Sequence, residues 1–233
     1  YVMTYIQAAG RRGVTPDAAR TIVRTNNTVI AALSIRRGEA DAMICGVEGR
    51  YMSHLYHIRE IVGLAPGVQD FAALSLVITA RGAYFLADTQ VTTEPTAEDI
   101  AEMAVLAAAH VRRFGLVPKI ALLSHSDFGS YDSASSRKMR RACELLAQRH
   151  PDLEVEGEMH GDSALSATHR ERIFPHSRLK GEANVMIMPN LDAANIAYQM
   201  IKVLANALPV GPILIGAARP VHILTPSVTA RGV

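Results

Sequence analysis

Two stretches of this sequence carry residue types that could hold an anion. The first is Ser124-His-Ser-Asp-Phe-Gly-Ser130, directly after the apolar run Lys119–Leu123. In open α/β sheets, ligands bind beyond the carboxyl ends of the strands. Hydroxyls, a glycine and the free amides of a helix start can cradle a phosphate there. Ser124, Ser126, Gly129 and Ser130 are the candidates, all placed at a helix start. The same residues read equally well as a helix cap followed by a tight turn. The second stretch is Pro189-Asn-Leu-Asp-Ala-Ala-Asn-Ile196, which follows the apolar run Asn184–Met188. Asp192 and Asn195 could face the same cleft as the serine loop, with Asn190 beside them. A plain helix cap at Asn190 or Asp192 is the favoured alternative.

Other constellations carry less. His125, Ser126 and Asp127 are consecutive, so their side chains diverge and cannot form a triad. His160, His169 and His176 are too irregularly spaced to assert a zinc site. Cys45 and Cys143 stand far apart without metal-type spacing, which suits a reducing cytoplasm and no disulfide framework. No phosphate-binding GxxxxGK[ST] loop occurs, and no GxGxxG follows a strand.

The elements that must position these loops alternate. Thr15–Arg37 has apolar positions at helical spacing, with Pro16 suited to a first turn and Gly38 as a stop. Asp41–Cys45 reads as a short buried strand. Phe71–Ala80 and Tyr84–Ala87 read as a hairpin turning at Arg81-Gly82. Thr96 opens a helix with an acidic first turn that Gly115 closes. The strand Lys119–Leu123 and its serine loop lead into a helix that runs to about Arg149. Short strands follow at Leu153–Val155, Asn184–Met188, Pro212–Gly216 and Val221–Leu224, with Leu191–Ala205 helical. Strands alternating with helices imply right-handed βαβ units and a largely parallel sheet covered on both faces. A crossing between two lobes is expected near residues 86–93, with a return near 211–225.

Composition sets outer bounds. The chain has 233 residues, 49% of them hydrophobic, without Trp; 24 basic and 22 acidic residues leave a net charge of +2. This is a folded, aliphatic-cored chain of one large domain or two small lobes. The densest basic patch, Arg137–Arg141, reads as a solvated helix face, and no nucleic-acid module accompanies it. No apolar run is long enough to span a bilayer and no signal peptide is evident. The chain opens at Tyr1-Val2-Met3 and stops at Arg231-Gly232-Val233 without a closing helix, as expected of a fragment.

Several segments, in order, resemble the phosphotransacetylase (phosphate acetyl/butyryltransferase) family. They are Gly38–Met43, Pro95–Glu98, Leu123–Ser130, Gly157-Glu158 with Asp162, Gly181–Val185, Pro189–Ile196 and Gly211–Leu214. The resemblance covers about Thr15 to Val221. It implies a two-lobe, three-layer α/β/α fold related to isocitrate and isopropylmalate dehydrogenases. It also implies a homodimer and a CoA thioester site in the cleft between lobes. The family reaction moves an acetyl group between CoA and phosphate. An arginine grips phosphate, a nearby serine donates a hydrogen bond, and a carboxylate helps deprotonate the thiol.

The sequence departs from that pattern at its last motif, Arg219-Pro-Val-His-Ile-Leu-Thr-Pro-Ser227. Thr225 stands where the serine is expected and Pro226 where the arginine is expected. A proline has neither charge nor amide donor, so it cannot grip phosphate as a guanidinium does. A second family arginine falls at Tyr56, and the carboxylate has no match in Thr229–Gly232. The altered motif resembles the carboxyl-terminal domain of large bacterial NADP-dependent malic enzymes. That resemblance implies no catalytic residue and no metal ligand in this chain. It implies acetyl-CoA bound as an inhibitory effector, and assembly as a dimer or a larger oligomer such as a hexamer. NADP and Mg or Mn sites belong to the malic enzyme part, which this chain lacks. The alternatives are a working phosphate acetyltransferase and a purely structural oligomerisation domain. The location implied is cytoplasmic, with no nucleic-acid or membrane partner.

Overall fold

The computed structural model describes residues 1–233. In chain order the elements are α1 Val2–Ala9, α2 Pro16–Thr25, α3 Asn27–Arg36, β1 Met43–Gly46, α4 Tyr51–Ile61, β2 Ala72–Thr79, β3 Gly82–Ala87 and α5 Ala97–Arg113. They continue with β4 Lys119–Leu123, α6 Ala134–Arg149, β5 Glu154–Met159, α7 Gly161–Leu165, α8 Ala167–Ile173, β6 Val185–Ile187, α9 Leu191–Leu204, β7 Leu208–Ile215 and β8 Val221–Leu224. The chain divides into two compact units. One comprises Tyr1–Phe71 with Gly211–Arg231, and the other Ala72–Val210.

The passage between units therefore falls at Phe71/Ala72, not near residues 86–93, and the return at Val210/Gly211. The displaced expectation has a simple cause. The end of the apolar run Tyr84–Ala87 looked like an exit, yet β3 is an interior strand. It pairs antiparallel with β2 and parallel with β6, so the chain stays within the second unit on either side of it.

In the first unit, β1 and β8 pair in parallel from Met43↔Val221 to Gly46↔Leu224. Gly46 has φ +96°, and a β-carbon there would press into the Leu224 backbone, with Leu224 N at 2.8 Å. Only glycine lets the two strand ends approach so closely. Val29, Ala32, Leu33, Ile58 and Ile61 are fully buried and form the α3–α4 core. The single helix expected over Thr15–Arg37 is two. Asn26 is extended (φ −112°, ψ 104°) and accepts the Val29 amide on its side chain at 3.1 Å, capping α3 as α2 ends. An asparagine offers the backbone this alternative to helix continuation.

The second unit is a three-layer α/β/α arrangement. The six-stranded sheet runs β5-β4-β6-β3-β2-β7, and β7 carries the chain back to the first unit. β4 pairs in parallel with both β5 and β6, so the sheet is largely parallel. Side chains alternate across it. Ala121, Leu123, Met186, Met188 and Leu86 form one core with Ala164 of α7 and with Ala194 and Tyr198 of α9. The intervening Ile120, Leu122, Val185, Ile187 and Phe85 are also fully buried, on the face covered by α5 and α6. Thr96 and Asp99 close a reciprocal capping box that starts α5. Its buried stripe of Ile100, Met103, Ala104, Ala107 and Val111 follows the helical period.

The segment from Phe174 to Asn184 has no regular structure. Arg170, fully buried, organises it: Nη1 donates to the Ser163 carbonyl at 2.8 Å, and Nη2 to the carbonyls of Leu179 at 3.0 Å and Gly181 at 2.5 Å. No helix is long and apolar enough to cross a membrane.

Candidate functional site

Because β3, β4, β5 and β6 run in parallel, their carboxyl ends form one edge. The loops that leave this edge carry most of the candidate residues. The Ser124–Ser130 loop leaves β4 and is tied to the end of β5 by Ser124 N on the Met159 carbonyl (2.8 Å) and Phe128 N on the Glu158 carbonyl (2.9 Å).

The loop does present convergent donors, and they meet an anion of the protein's own. Ser126, fully buried, donates its hydroxyl to Glu158 Oε1 at 2.9 Å and accepts the Tyr131 amide at 3.1 Å. Gly129 N, from a residue at φ +88°, donates to the same oxygen at 2.9 Å. Arg140 of α6 completes the set with Nη2 on Oε1 at 2.9 Å and Nε on Oε2 at 3.1 Å. Burial pushes the Glu158 carboxyl up, but hydrogen bonds from Arg140, Ser126 and Gly129 outweigh it and hold the group below its ordinary range. The Ser126 hydroxyl and the Gly129 amide are thus committed to structure.

The loop does not start the helix either. α6 begins at Ala134, capped by Ser133, whose hydroxyl accepts the Ser136 amide at 3.1 Å. Three residues, Tyr131 to Ser133, separate Ser130 from that start because Ser133 and Ser136, not the earlier serines, satisfy the cap. Ser124 and Ser130 differ from Ser126. Each hydroxyl accepts one amide, from Ser126 at 3.1 Å and Asp127 at 2.9 Å, and keeps its hydrogen to donate.

The second stretch lies on the neighbouring strand, since β6 pairs with β4 at Leu122↔Ile187. Asn190 caps α9: its Oδ1 accepts the Ala193 amide at 3.0 Å, and its Nδ2 donates to Glu94 at 3.3 Å. Asp192 is exposed in the first turn of α9, where a negative charge suits the helix dipole. Asn195 reaches the Thr89 carbonyl with Nδ2 at 3.0 Å. It thereby ties α9 to the loop after β3, which Asp88 shapes. That carboxylate is 3% exposed and accepts the amides of Ala73, Gln90, Val91 and Thr92. Burial raises its pKa, against the pull of those amides.

The basic patch on α6 is distributed among partners. Arg137 pairs with Asp132, Arg141 with Glu144, and Lys138 donates to the Pro189 carbonyl at 2.7 Å. Lys138 therefore ties α6 to the start of the second candidate stretch.

Thr225 belongs to the first unit, just beyond β8, and its Oγ1 lies 3.1 Å from Ser227 Oγ. In the same unit a polar cavity of about 620 Å³ opens at the end of β1, lined by Asn26, Thr28, Cys45, Gly46, Glu48 and His54 among others. His54 Nε2 donates to the Glu48 carbonyl at 2.7 Å, which leaves Nδ1 to accept the Thr28 hydroxyl at 2.8 Å. Burial pushes the Cys45 thiol up to about 11, so it is not a nucleophile at neutral pH. Sequence reasoning passed over this cavity, because its residues come from α2, α3, β1 and α4 and no motif links them.

The family model for phosphate acetyl/butaryl transferases matches residues 1–233. The chain belongs to the phosphate acetyl/butaryl transferase family. A solved phosphotransacetylase from Streptococcus pyogenes superposes with a TM-score of 0.91 at 29% identity, covering 99% of this chain and 70% of its own. A NAD-dependent malic enzyme of Rhizobium meliloti is 58% identical over the whole chain, which spans 30% of that protein. A NADP-dependent malic enzyme of Escherichia coli is 47% identical over 99% of the chain and 31% of its own length. The chain thus spans about a third of the malic enzymes it matches. It is a phosphotransacetylase-like domain of the kind fused to such enzymes.

Proposed function

We propose that this chain is the regulatory and oligomerising portion of a malic enzyme, which binds acetyl-CoA and has lost phosphotransacetylase turnover. The parent reaction, malate to pyruvate and CO2 with NADP and a divalent metal, would belong to the portion of the protein outside this span. The observation that carries the reading is the pair Thr225-Pro226 after β8. A proline stands where the family pattern has a phosphate-gripping arginine, and no guanidinium replaces it at 225–228. Loss of one preorganised donor to developing charge costs about a hundredfold to a thousandfold in rate. Loss of an arginine together with the carboxylate base goes well beyond that.

Binding capacity is argued separately. Ser124 and Ser130 keep hydroxyl hydrogens at the carboxyl edge of the sheet, and the Glu158 network holds their loop in place. Acetyl-CoA meets such an edge through its phosphates and amides. Calorimetry with acetyl-CoA should show one site per chain, weakened in a Ser124→Ala/Ser130→Ala variant. An assay for acetyl phosphate should show no product. Acetyl phosphate formation by the unaltered chain would refute the loss of turnover, and absence of binding would remove the sensing role.

Self-association is favoured by a specific surface. Ile196, Met200, Val203 and Leu204 on α9 are 58, 55, 73 and 79% exposed at a spacing of four, three and one residues. A contiguous apolar stripe of this kind marks an interaction face. Light scattering should find a dimer that a Val203→Glu/Leu204→Glu variant converts to monomer.

A further inference from the structure

The irregular histidines acquire a pattern once the fold is known. β4 and β5 are parallel neighbours, with Leu123 opposite Met159. The loops leaving their carboxyl ends therefore run side by side. Asp127 comes from the first loop, and His160 and Asp162 from the second. One ligand atom from each lies within 4.8 Å of the others.

The tautomer of His160 shows what this cluster lacks. Its Nε2 is 2.8 Å from the His125 carbonyl oxygen, which can only accept, so Nε2 carries the proton. Nδ1 of the neutral ring then presents a lone pair, and it faces Asp127 Oδ2 at 3.3 Å. Two acceptors opposed in this way are bridged by a proton on Nδ1 or by a metal ion. A proton is the poorer fit, because charge-assisted N–H···O bonds close to about 2.7–2.9 Å. Ligands about 2.0–2.1 Å from a tetrahedral zinc ion are roughly 3.3 Å apart. The 3.3 Å separation is compatible with two ligands on one metal.

The surroundings match as well. A ligating histidine usually donates its other ring N–H to a carbonyl or carboxylate, and ligating carboxylates are themselves hydrogen-bonded. The His125 carbonyl plays that part for His160. Asp127 Oδ1 accepts the His160 amide at 2.8 Å, and Oδ2 accepts the Ser163 hydroxyl at 2.9 Å. Asp162 Oδ1 accepts the Ser163 amide at 2.9 Å. His169 stands outside this shell. Its Nδ1 faces the Arg172 guanidinium at 3.3 Å, so Nε2 carries the proton, 3.8 Å from Asp162 Oδ2.

We infer that Asp127, His160 and Asp162 form a binding site for a zinc-like divalent transition metal, with water in the fourth position. The imidazole selects such a metal over Mg2+, which prefers an all-oxygen octahedron. The site joins the ends of β4 and β5 and does not depend on the acyl-CoA reading.

The test is titration of the metal-stripped chain with Zn2+, with Mg2+ as control. One equivalent of Zn2+ should bind, and a hundredfold excess over Kd should raise the melting temperature by about 5–10 °C. Co2+ should give the visible band of a tetrahedral ion. His160→Gln and Asp162→Asn alter partly exposed side chains, and the metal-free melting temperature of each variant reports its folding. Each should weaken Zn2+ binding at least tenfold and abolish the Co2+ band. No Zn2+ binding, or equal binding by folded variants, would overturn the site.

Discussion

Replacing Glu158 by Gln is the most informative single change outside any ligand site. The substitution preserves volume, and the amide oxygen can still receive the Ser126 hydroxyl and the Gly129 amide. The new NH2 group must then face Arg140 Nε, which is 3.1 Å away in the native protein, donor against donor. The charge that held the guanidinium is also gone. Removing one partner of a buried ion pair costs about 3–5 kcal/mol. The Glu158 side chain is 2% exposed but that of Arg140 is 39% exposed, so water screens part of the attraction. The expectation falls to roughly 2–4 kcal/mol. For a chain of this length that corresponds to about 5–15 °C in melting temperature, read by circular dichroism at 222 nm or an equivalent helical signal. The pH dependence supplies a second check. The folded pKa of Glu158 lies below the ordinary 4.5. Its stabilisation is therefore fully present above that value and is lost as pH falls through the folded pKa. The gap between native and Glu158→Gln melting temperatures should be constant around neutrality and shrink in acid. A gap under about 1 °C at neutral pH would refute the claim that this carboxylate organises the loop.

Gly46→Ala should cost more than about 3 kcal/mol in urea denaturation, since its β-carbon meets Leu224 backbone that has no room to retreat. Asp88→Ala strands three amides of the half-buried loop after β3 and the Ala73 amide of β2, and should cost about 3 kcal/mol or more by the same measurement. Cys45 and Cys143, pushed up by burial to about 11 and about 12, should react with a thiol reagent at pH 8 only after denaturant is added.

How much of this was legible in the sequence varies with the range of the interaction. The Ala72–Ala87 hairpin, the strand Lys119–Leu123 and the capped start of α5 are local events, and alternation, Gly82 and the Thr96–Asp99 pair announce them. The break at Asn26 was hidden because Ile22 and Val23 before it and Val29 and Ile30 after it keep the helical spacing. α4 escaped notice because Tyr51–Ile61 intersperses His54, His57, Arg59 and Glu60 among its apolar residues. The role of Ser126 could not be read, because Glu158, its partner, lies 32 residues away. Asp127 and Asp162 look unrelated along the chain and become neighbours only because β4 and β5 lie side by side. The signal that could have found both was the pairing of those two strands, after which Glu158 and His160 fall opposite the serine loop.

Arg170 shows how a stretch without ladder or helix can still have one shape. Three carbonyls from Ser163, Leu179 and Gly181 converge on its planar fork, with no carboxylate among them. The coil between α8 and β6 is in effect moulded around a guanidinium, and its conformation is stored in a side chain rather than in its own backbone. Lysine keeps the charge but lacks the fork, so the mould would lose its template while the sheet beneath it stayed whole.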